Sequence, residues 1–239
     1  MPMRQLALDI GLAPPATLDS FIPTGNEAVL AHLRQWLVSD AVGAVPLYLW
    51  GPAGCGKTHL LDAAQALLAE RGLQSARLRA DAHDGDRVPD TDPAAAAAED
   101  DDAADAVLLD DVHRYDAARQ QAAFARFVLA QTAGRRVLAA GDAPPADLPL
   151  RDDLRSRLGW GHVFRLEPLG DAACRAALRQ AADARGLMLR DEVLDYMLRR
   201  FPRDLRSQVA LLEALDAYAL RAQRAVTVPL LRAMLEDRT

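Results

Sequence analysis

The chain has 239 residues, 51% of them hydrophobic and only 5% aromatic. That length allows one large domain or a medium domain with a small one, and the heavy share of alanine points to closely packed helices. A net charge of -6 argues against duplex DNA as the main partner, because phosphate neutralisation by basic side chains supplies most non-specific affinity. The two cysteines, Cys55 and Cys174, lie far apart in sequence. They read as free thiols in a reducing compartment, since a disulfide at Cys55 would hinder a glycine-rich loop. No apolar run reaches the length of a membrane span, and the first residues have no apolar signal-peptide core. The expected location is cytoplasmic.

Residues 1–16, with Pro14-Pro15, read as a flexible tail. Residues 26–39 fit an amphipathic helix, with Val29, Leu30, Leu33, Trp36 and Leu37 on one face. VPLYLW (45–50) reads as a buried strand that runs into GPAGCGKT (51–58). HLLDAAQALLAE (59–70) then repeats leucine and alanine at helical spacing. Short apolar runs follow at 76–80, 106–109, 136–140 and 162–166, with a helical stretch over 118–133. Strands alternating with helices predict a parallel α/β sheet. Between the second and third strands, residues 81–105 carry ten acidic residues against one arginine and read as a solvated surface loop. After Pro168 the strand signal stops and four amphipathic helices follow. The expected division is a tail over 1–16, an α/β nucleotide-binding domain over 17–167 and an all-helical domain over 168–239.

GPAGCGKT matches the pattern G-x-x-x-x-G-K-[ST], with a strand before it and a helix after it. Gly51, Gly54 and Gly56 let the backbone turn so that successive N–H groups face a phosphate. Pro52, Ala53, Cys55 and His59 belong to the same cradle. Lys57 is the only lysine; the other 27 basic residues are arginine. A compact ammonium on a flexible stem reaches between the β- and γ-phosphates where a planar guanidinium fits poorly. Thr58 would ligate Mg²⁺. AVLLDD (106–111) ends a central strand in two carboxylates, where ligands bind in open α/β sheets. Asp110 would hold Mg²⁺ through water, and Asp111 would polarise an attacking water. Asp142, in GDAPP at the end of the next strand, either orients water near the γ-phosphate or simply caps a turn. DLRSRLGWG (153–161) sets two arginines before a glycine-framed tryptophan. One of them can be offered to a nucleotide on a neighbouring molecule. Arg203, which opens the third helix of the bundle, can fold back over the phosphates.

Taken together, the strand with GPAGCGKT, LLDD, GD, SRLGWG and the helical segment with FPRDLRS resemble the AAA+ P-loop module of the DnaA family of bacterial replication initiators. They are closer still to the shorter Hda-type members that inactivate the initiator. The resemblance runs from about Thr17 to the C-terminus. It implies a five-stranded parallel sheet followed by a helical lid, with bound ADP or ATP and Mg²⁺. It places Arg157 as arginine finger, Asp142 as the first sensor and Arg203 as the second. It sets Phe21, Ile22 and Asn26 beside the adenine. The lid-like helices run to Thr239 in this sequence, so no DNA-binding helix-turn-helix domain is expected. QLALDI (5–10) resembles the motif by which Hda-type proteins dock on the DNA polymerase sliding clamp (its β subunit). Gln5, Leu6, Leu8 and Ile10 carry the match, and Asp9 stands where the pattern has proline. A flexible tail offering glutamine and alternating aliphatics can enter an apolar pocket.

The resemblance implies a regulator that docks on the clamp and promotes hydrolysis of ATP held by DnaA. It would form homo-oligomers and make no sequence-specific contact with DNA and none with membrane. An autonomous AAA+ ATPase, such as a helicase loader, is the alternative that Lys57, Asp110 and Asp111 leave open. A DnaA-like adaptor acting without the clamp is a third reading.

Overall fold

The computed structural model describes residues 16–39, 45–80, 104–201 and 205–237. The expected clamp motif, nearly all of the acidic stretch and Arg203 lie outside the described residues.

The chain enters through α1 (Glu27–Val38), β1 (Leu47–Trp50) and α2 (Lys57–Glu70). It continues with β2 (Ser75–Leu78), β3 (Ala106–Leu109), α3 (Ala117–Thr132) and β4 (Arg136–Gly141), then α4 (Asp152–Leu158) and β5 (His162–Arg165). Two short 3-10 turns, Val112–Arg114 and Pro145–Asp147, follow the ends of β3 and β4; runs this short leave no periodic signal in a sequence. The five strands form one sheet in the order β2-β3-β4-β1-β5, and every pairing is parallel. The sheet, strands and helices expected from the apolar runs are present within a residue or two.

The strand sequences explain the sheet's layering. β3, AVLL, is buried at all four positions, as a parallel strand covered on both faces must be. One face packs on α1 and α2 through Leu33, Leu37, Leu49, Leu60 and Leu108. The other packs on α3 and α4 through Tyr48, Leu109, Phe127, Val137 and Leu154. β5 closes one edge with its outward residues in solvent. Gly161 permits its entry, because a Cβ there would lie 1.9 Å from the Pro46 carbonyl oxygen.

From Asp171 onward the described residues are helical: α5 (Asp171–Asp183), α6 (Asp191–Arg200), α7 (Leu205–Ala222) and α8 (Val228–Glu236). α6 opens on Asp191 and Glu192 and closes on Arg199 and Arg200, the charge order that complements a helix dipole. Thr227 caps α8 by accepting a hydrogen bond from the Leu230 N–H. Val193, Met197, Leu212, Leu215, Leu230 and Leu231 form the main buried cluster. The apolar face of α7 divides at its start: Leu205 and Val209 pack instead around Cys174, Leu178 and Leu194.

Candidate functional site: a phosphate cradle at the strand ends

The loop between β1 and α2 forms a tight concavity. Gly51, Gly54 and Gly56 have φ of +156°, +79° and +96°. Gly56 is required twice over: its backbone is left-handed, and a Cβ would lie 2.6 Å from Cε2 of Phe21. At Gly51 a Cβ would lie 2.4 Å from the Leu166 carbonyl oxygen. α2 starts at Lys57 with Gly56 as its N-cap and no side-chain cap, so its first N–H groups stay available to an anion.

Lys57 is 7% exposed. Its Nζ donates to the Gly51 carbonyl at 2.7 Å and the Pro52 carbonyl at 3.0 Å, which holds the ammonium inside the loop it would use on a phosphate. Cys55 Sγ lies 3.8 Å from the same Nζ. Burial pushes the Cys55 thiol up, against the pull of Lys57. Cys55 is therefore a packed thiol rather than a reactive thiolate.

Thr58 Oγ1 and Asp110 Oδ1 approach to 3.4 Å. A hydroxyl and a carboxylate meeting at the foot of a phosphate loop suit Mg²⁺, which keeps several waters and takes few protein oxygens. Asp110 is buried, and its other oxygen is 2.6 Å from Nη2 of Arg77 on β2. Asp111 follows in a left-handed conformation with φ of +52°. That region is sparsely populated by non-glycine residues and is often found at functional positions. It turns the chain sharply after β3, and Arg114 Nη1 lies 3.9 Å from the Asp111 carboxylate.

Asp142 is exposed at the end of β4, 3.7 Å from Nδ1 of His113. Its turn is anchored from below. The Tyr48 hydroxyl donates to the Ala143 carbonyl at 2.8 Å and fills the space that Gly141 leaves, where a Cβ would lie 2.2 Å away. Burial, with the charge of Asp142, pushes the Tyr48 hydroxyl well above its ordinary range, so it remains a donor.

The segment before α1 covers the loop's other flank. Phe21 packs on Gly56, and its ring centroid is 5.9 Å from that of His59. His59 Nε2 meets the Thr17 carbonyl and the Ser20 hydroxyl. Ile22 is half-buried beside Phe21. Asn26 is buried and exchanges two bonds with the backbone of Glu167: its Nδ2 donates to the carbonyl at 2.9 Å, and its Oδ1 accepts from the N–H at 2.8 Å. Asn26 thus ties the chain's entry to the segment leading into the helical bundle.

The predicted residues sort into three groups. Phe21, His59, the loop, Lys57, Thr58, Asp110, Asp111 and Asp142 gather at the C-terminal ends of β1, β3 and β4 and around the start of α2. Arg157 stands on α4, its guanidinium 5.1 Å above the Phe124 ring of α3, with Trp160 70% exposed just beyond it. Arg203 and residues 5–10 are outside the described residues. Sequence reading missed Arg77, Tyr48 and His113. Arg77 had a signal: a charged side chain within a short sheet strand needs a partner.

A family model for the bacterial DnaA ATPase domain matches residues 12–165, and one for the lid domain of Hda matches residues 171–235. Domain III of the Thermotoga maritima replication initiation protein DnaA superposes with a TM-score of 0.75 at 22% identity, covering 95% of this chain and 98% of that one. AMPPCP-bound DnaA from Aquifex aeolicus gives 0.67 at 25% identity, over 86% of this chain and 66% of that one. A replication initiator DnaA bound to AMPPCP and single-stranded DNA gives 0.67 at 26%, over 84% and 66%. The fold alone is shared with the Thermotoga maritima RuvB branch migration motor, at 0.63 and 18% identity, over 93% and 72%. On the match over 12–165 and the lid that follows it, the chain belongs to the bacterial DnaA ATPase-domain family of AAA+ proteins and carries an Hda-type lid.

Proposed function

We propose that this protein is an adenine-nucleotide-binding regulator of replication initiation. It docks on the sliding clamp through Gln5, Leu6, Leu8 and Ile10, acts in the cytoplasm, and promotes hydrolysis of ATP held by DnaA. The observation that carries the nucleotide half is Lys57, held by loop carbonyls at the mouth of a glycine-built cradle. The AMPPCP-bound relatives support an adenine nucleotide in that cradle. Thr58 and Asp110 would hold Mg²⁺, whose role is to neutralise phosphate charge.

The regulatory half rests on the Hda-type lid and on Arg157. α4 presents this arginine on top of α3, with its ring platform at Phe124. A guanidinium held on an aromatic face is restrained yet half-exposed, and so can reach a phosphate on an adjoining molecule. In this reading Asp142 and Arg203 sense the resident nucleotide, and the AAA+ modules associate with the initiator and with each other. The division near residue 167 lets the lid at 168–239 respond to ADP or ATP while the clamp motif tethers the whole. DNA is contacted through these partners and not by sequence.

An assay of DnaA-bound ATP, with clamp loaded on DNA, tests the reading. Arg157→Ala is expected to abolish stimulation while leaving this protein's own ADP affinity within about twofold, since the contact is made in trans. Deletion of residues 1–12 is expected to abolish clamp binding and stimulation together. Stimulation that survives both changes overturns the proposal. The intact set Lys57, Asp110 and Asp111 favours a second reading, an autonomous ATPase. Turnover without DnaA that is lost in Asp111→Ala would establish it.

A further inference from the structure

The metal-ligating carboxylate has a built-in cation. Arg77 projects from β2, the strand beside the one that ends in Asp110. Its side chain is 7% exposed and that of Asp110 is 5% exposed. Nη2 bonds Asp110 Oδ2 at 2.6 Å, while Nη1 bonds Asp62 of α2 and donates to the Gln65 side-chain amide oxygen Oε1 at 3.3 Å. Arg79 adds a second guanidinium 3.5 Å from Asp62. Asp110 and Asp62 therefore face the guanidinium groups of Arg77 and Arg79.

This pairing is not a solvated surface contact. Both side chains are almost fully enclosed, and the guanidinium bonds Asp110 and Asp62 together. Arg77 stays charged, since guanidinium does not deprotonate in proteins. It also stays in place, because two carboxylates and an amide on two different elements hold one planar fork. A divalent ion at Oδ1 would share Asp110 with a fixed positive charge on Oδ2. It would compete with that fixed charge for the carboxylate. Asp111 has a cation of its own nearby, with Arg114 Nη1 at 3.9 Å.

We propose that Arg77 is a positioning residue that makes nucleotide binding by this chain nearly independent of divalent metal, so that the cradle keeps metal-free ADP almost as tightly as Mg²⁺-ADP. The inference rests on the nucleotide-site reading above. It deepens that reading by assigning what governs retention of the nucleotide at that same site. In this picture phosphate charge is met by Lys57 and the loop N–H groups, while Asp110 is held against the sheet by Arg77.

The test is equilibrium titration of a fluorescent ADP analogue into the full chain, in Mg²⁺ and again in EDTA. For the natural protein the two dissociation constants should agree within about threefold. Arg77→Gln should open a gap of about tenfold or more in favour of Mg²⁺, about 1.4 kcal/mol. Arg77→Lys, which restores a charge, should bring the gap back toward the natural value. A merely structural role for Arg77 would weaken both titrations equally and leave their ratio unchanged, which overturns the proposal. A natural protein that loses tenfold or more in EDTA also overturns it, and that comparison decides the matter alone if Arg77→Gln fails to fold. No ADP binding in either buffer overturns the nucleotide-site reading and this inference with it, whereas binding that collapses only in EDTA overturns this inference alone.

Discussion

The sheet domain buries charged side chains, and the helical lid, among its described residues, does not. In the sheet domain Lys57, Asp110 and Asn26 are buried, and each is satisfied by a bond that also orients it. In the lid, Gln208 is the buried polar side chain among the described residues. The lid's ion pairs, Arg175–Asp195, Arg179–Asp191 and Arg185–Glu213, sit at its partly or largely exposed surface. The apolar clusters also stay separate: those of the sheet domain draw on residues 18–166, and those of the lid on residues 169–235. Interior charges in one region make a site. Exterior charges in the other dress a packed helical body.

The most forceful way to break this contrast is to damage the lid's interior. Leu215→Ala removes a fully buried side chain and should cost about 2–5 kcal/mol. Hydrogen exchange is expected to show lost protection across α6, α7 and α8 while β1, β3 and β4 keep theirs. Equal loss in both regions would mean that they unfold as one unit. The mirror experiment, Lys57→Ala, should lower ADP affinity about a hundredfold, about 2.7 kcal/mol, through lost phosphate contacts. Calorimetry should find the melting temperature of the unliganded protein moved far less than by Leu215→Ala.

These two substitutions also mark what the sequence made legible. Leu215 and Lys57 were readable because each belongs to a pattern with a fixed period or spacing: an apolar helical face in one case, a glycine-framed phosphate loop in the other. The sheet's strands were readable for the same reason. Arg77 was not read, because its role depends on which strand lies beside β3, and strand order is a long-range property. Tyr48 looked like one more apolar residue in VPLYLW; its hydroxyl matters only because β4 places Gly141 and Ala143 next to it. Asn26 was expected beside the adenine. In the structure its side chain is engaged by Glu167, a partner 141 residues away that no local pattern could suggest.

Smaller effects sharpen the contrast further. Arg185→Ala in the lid should cost about 0–1 kcal/mol in denaturant titrations, as partly exposed pairs do, and the cost should shrink in high salt. The gentlest expected change is with pH. His32 of α1 lies beside His162 of β5, with ring centroids 4.5 Å apart. Burial, and then the neighbouring imidazole, lower the His32 pKa from its ordinary value of 6.5. A lowered histidine pKa means the unfolded chain binds more protons through that range. Stability is therefore full above 6.5 and declines as the pH falls below it toward the folded-state value. Thermal melts from pH 7.5 to pH 5.5 should show this decline, and His162→Gln should reduce it by removing one of the two like charges.

The single lysine has a consequence of a chemical kind. Every other basic side chain is an arginine, so Lys57 is the one ε-amine that an acylating reagent or an acetyl-transferring enzyme can find on this chain. It is 7% exposed and tucked against its own loop. Any lysine-directed modification of this sequence can therefore fall at only one place, and it deletes the charge that the loop carbonyls hold. The arginine side chains are silent to the same chemistry, so an acyl group found on any side-chain amine of this sequence reports on that loop alone.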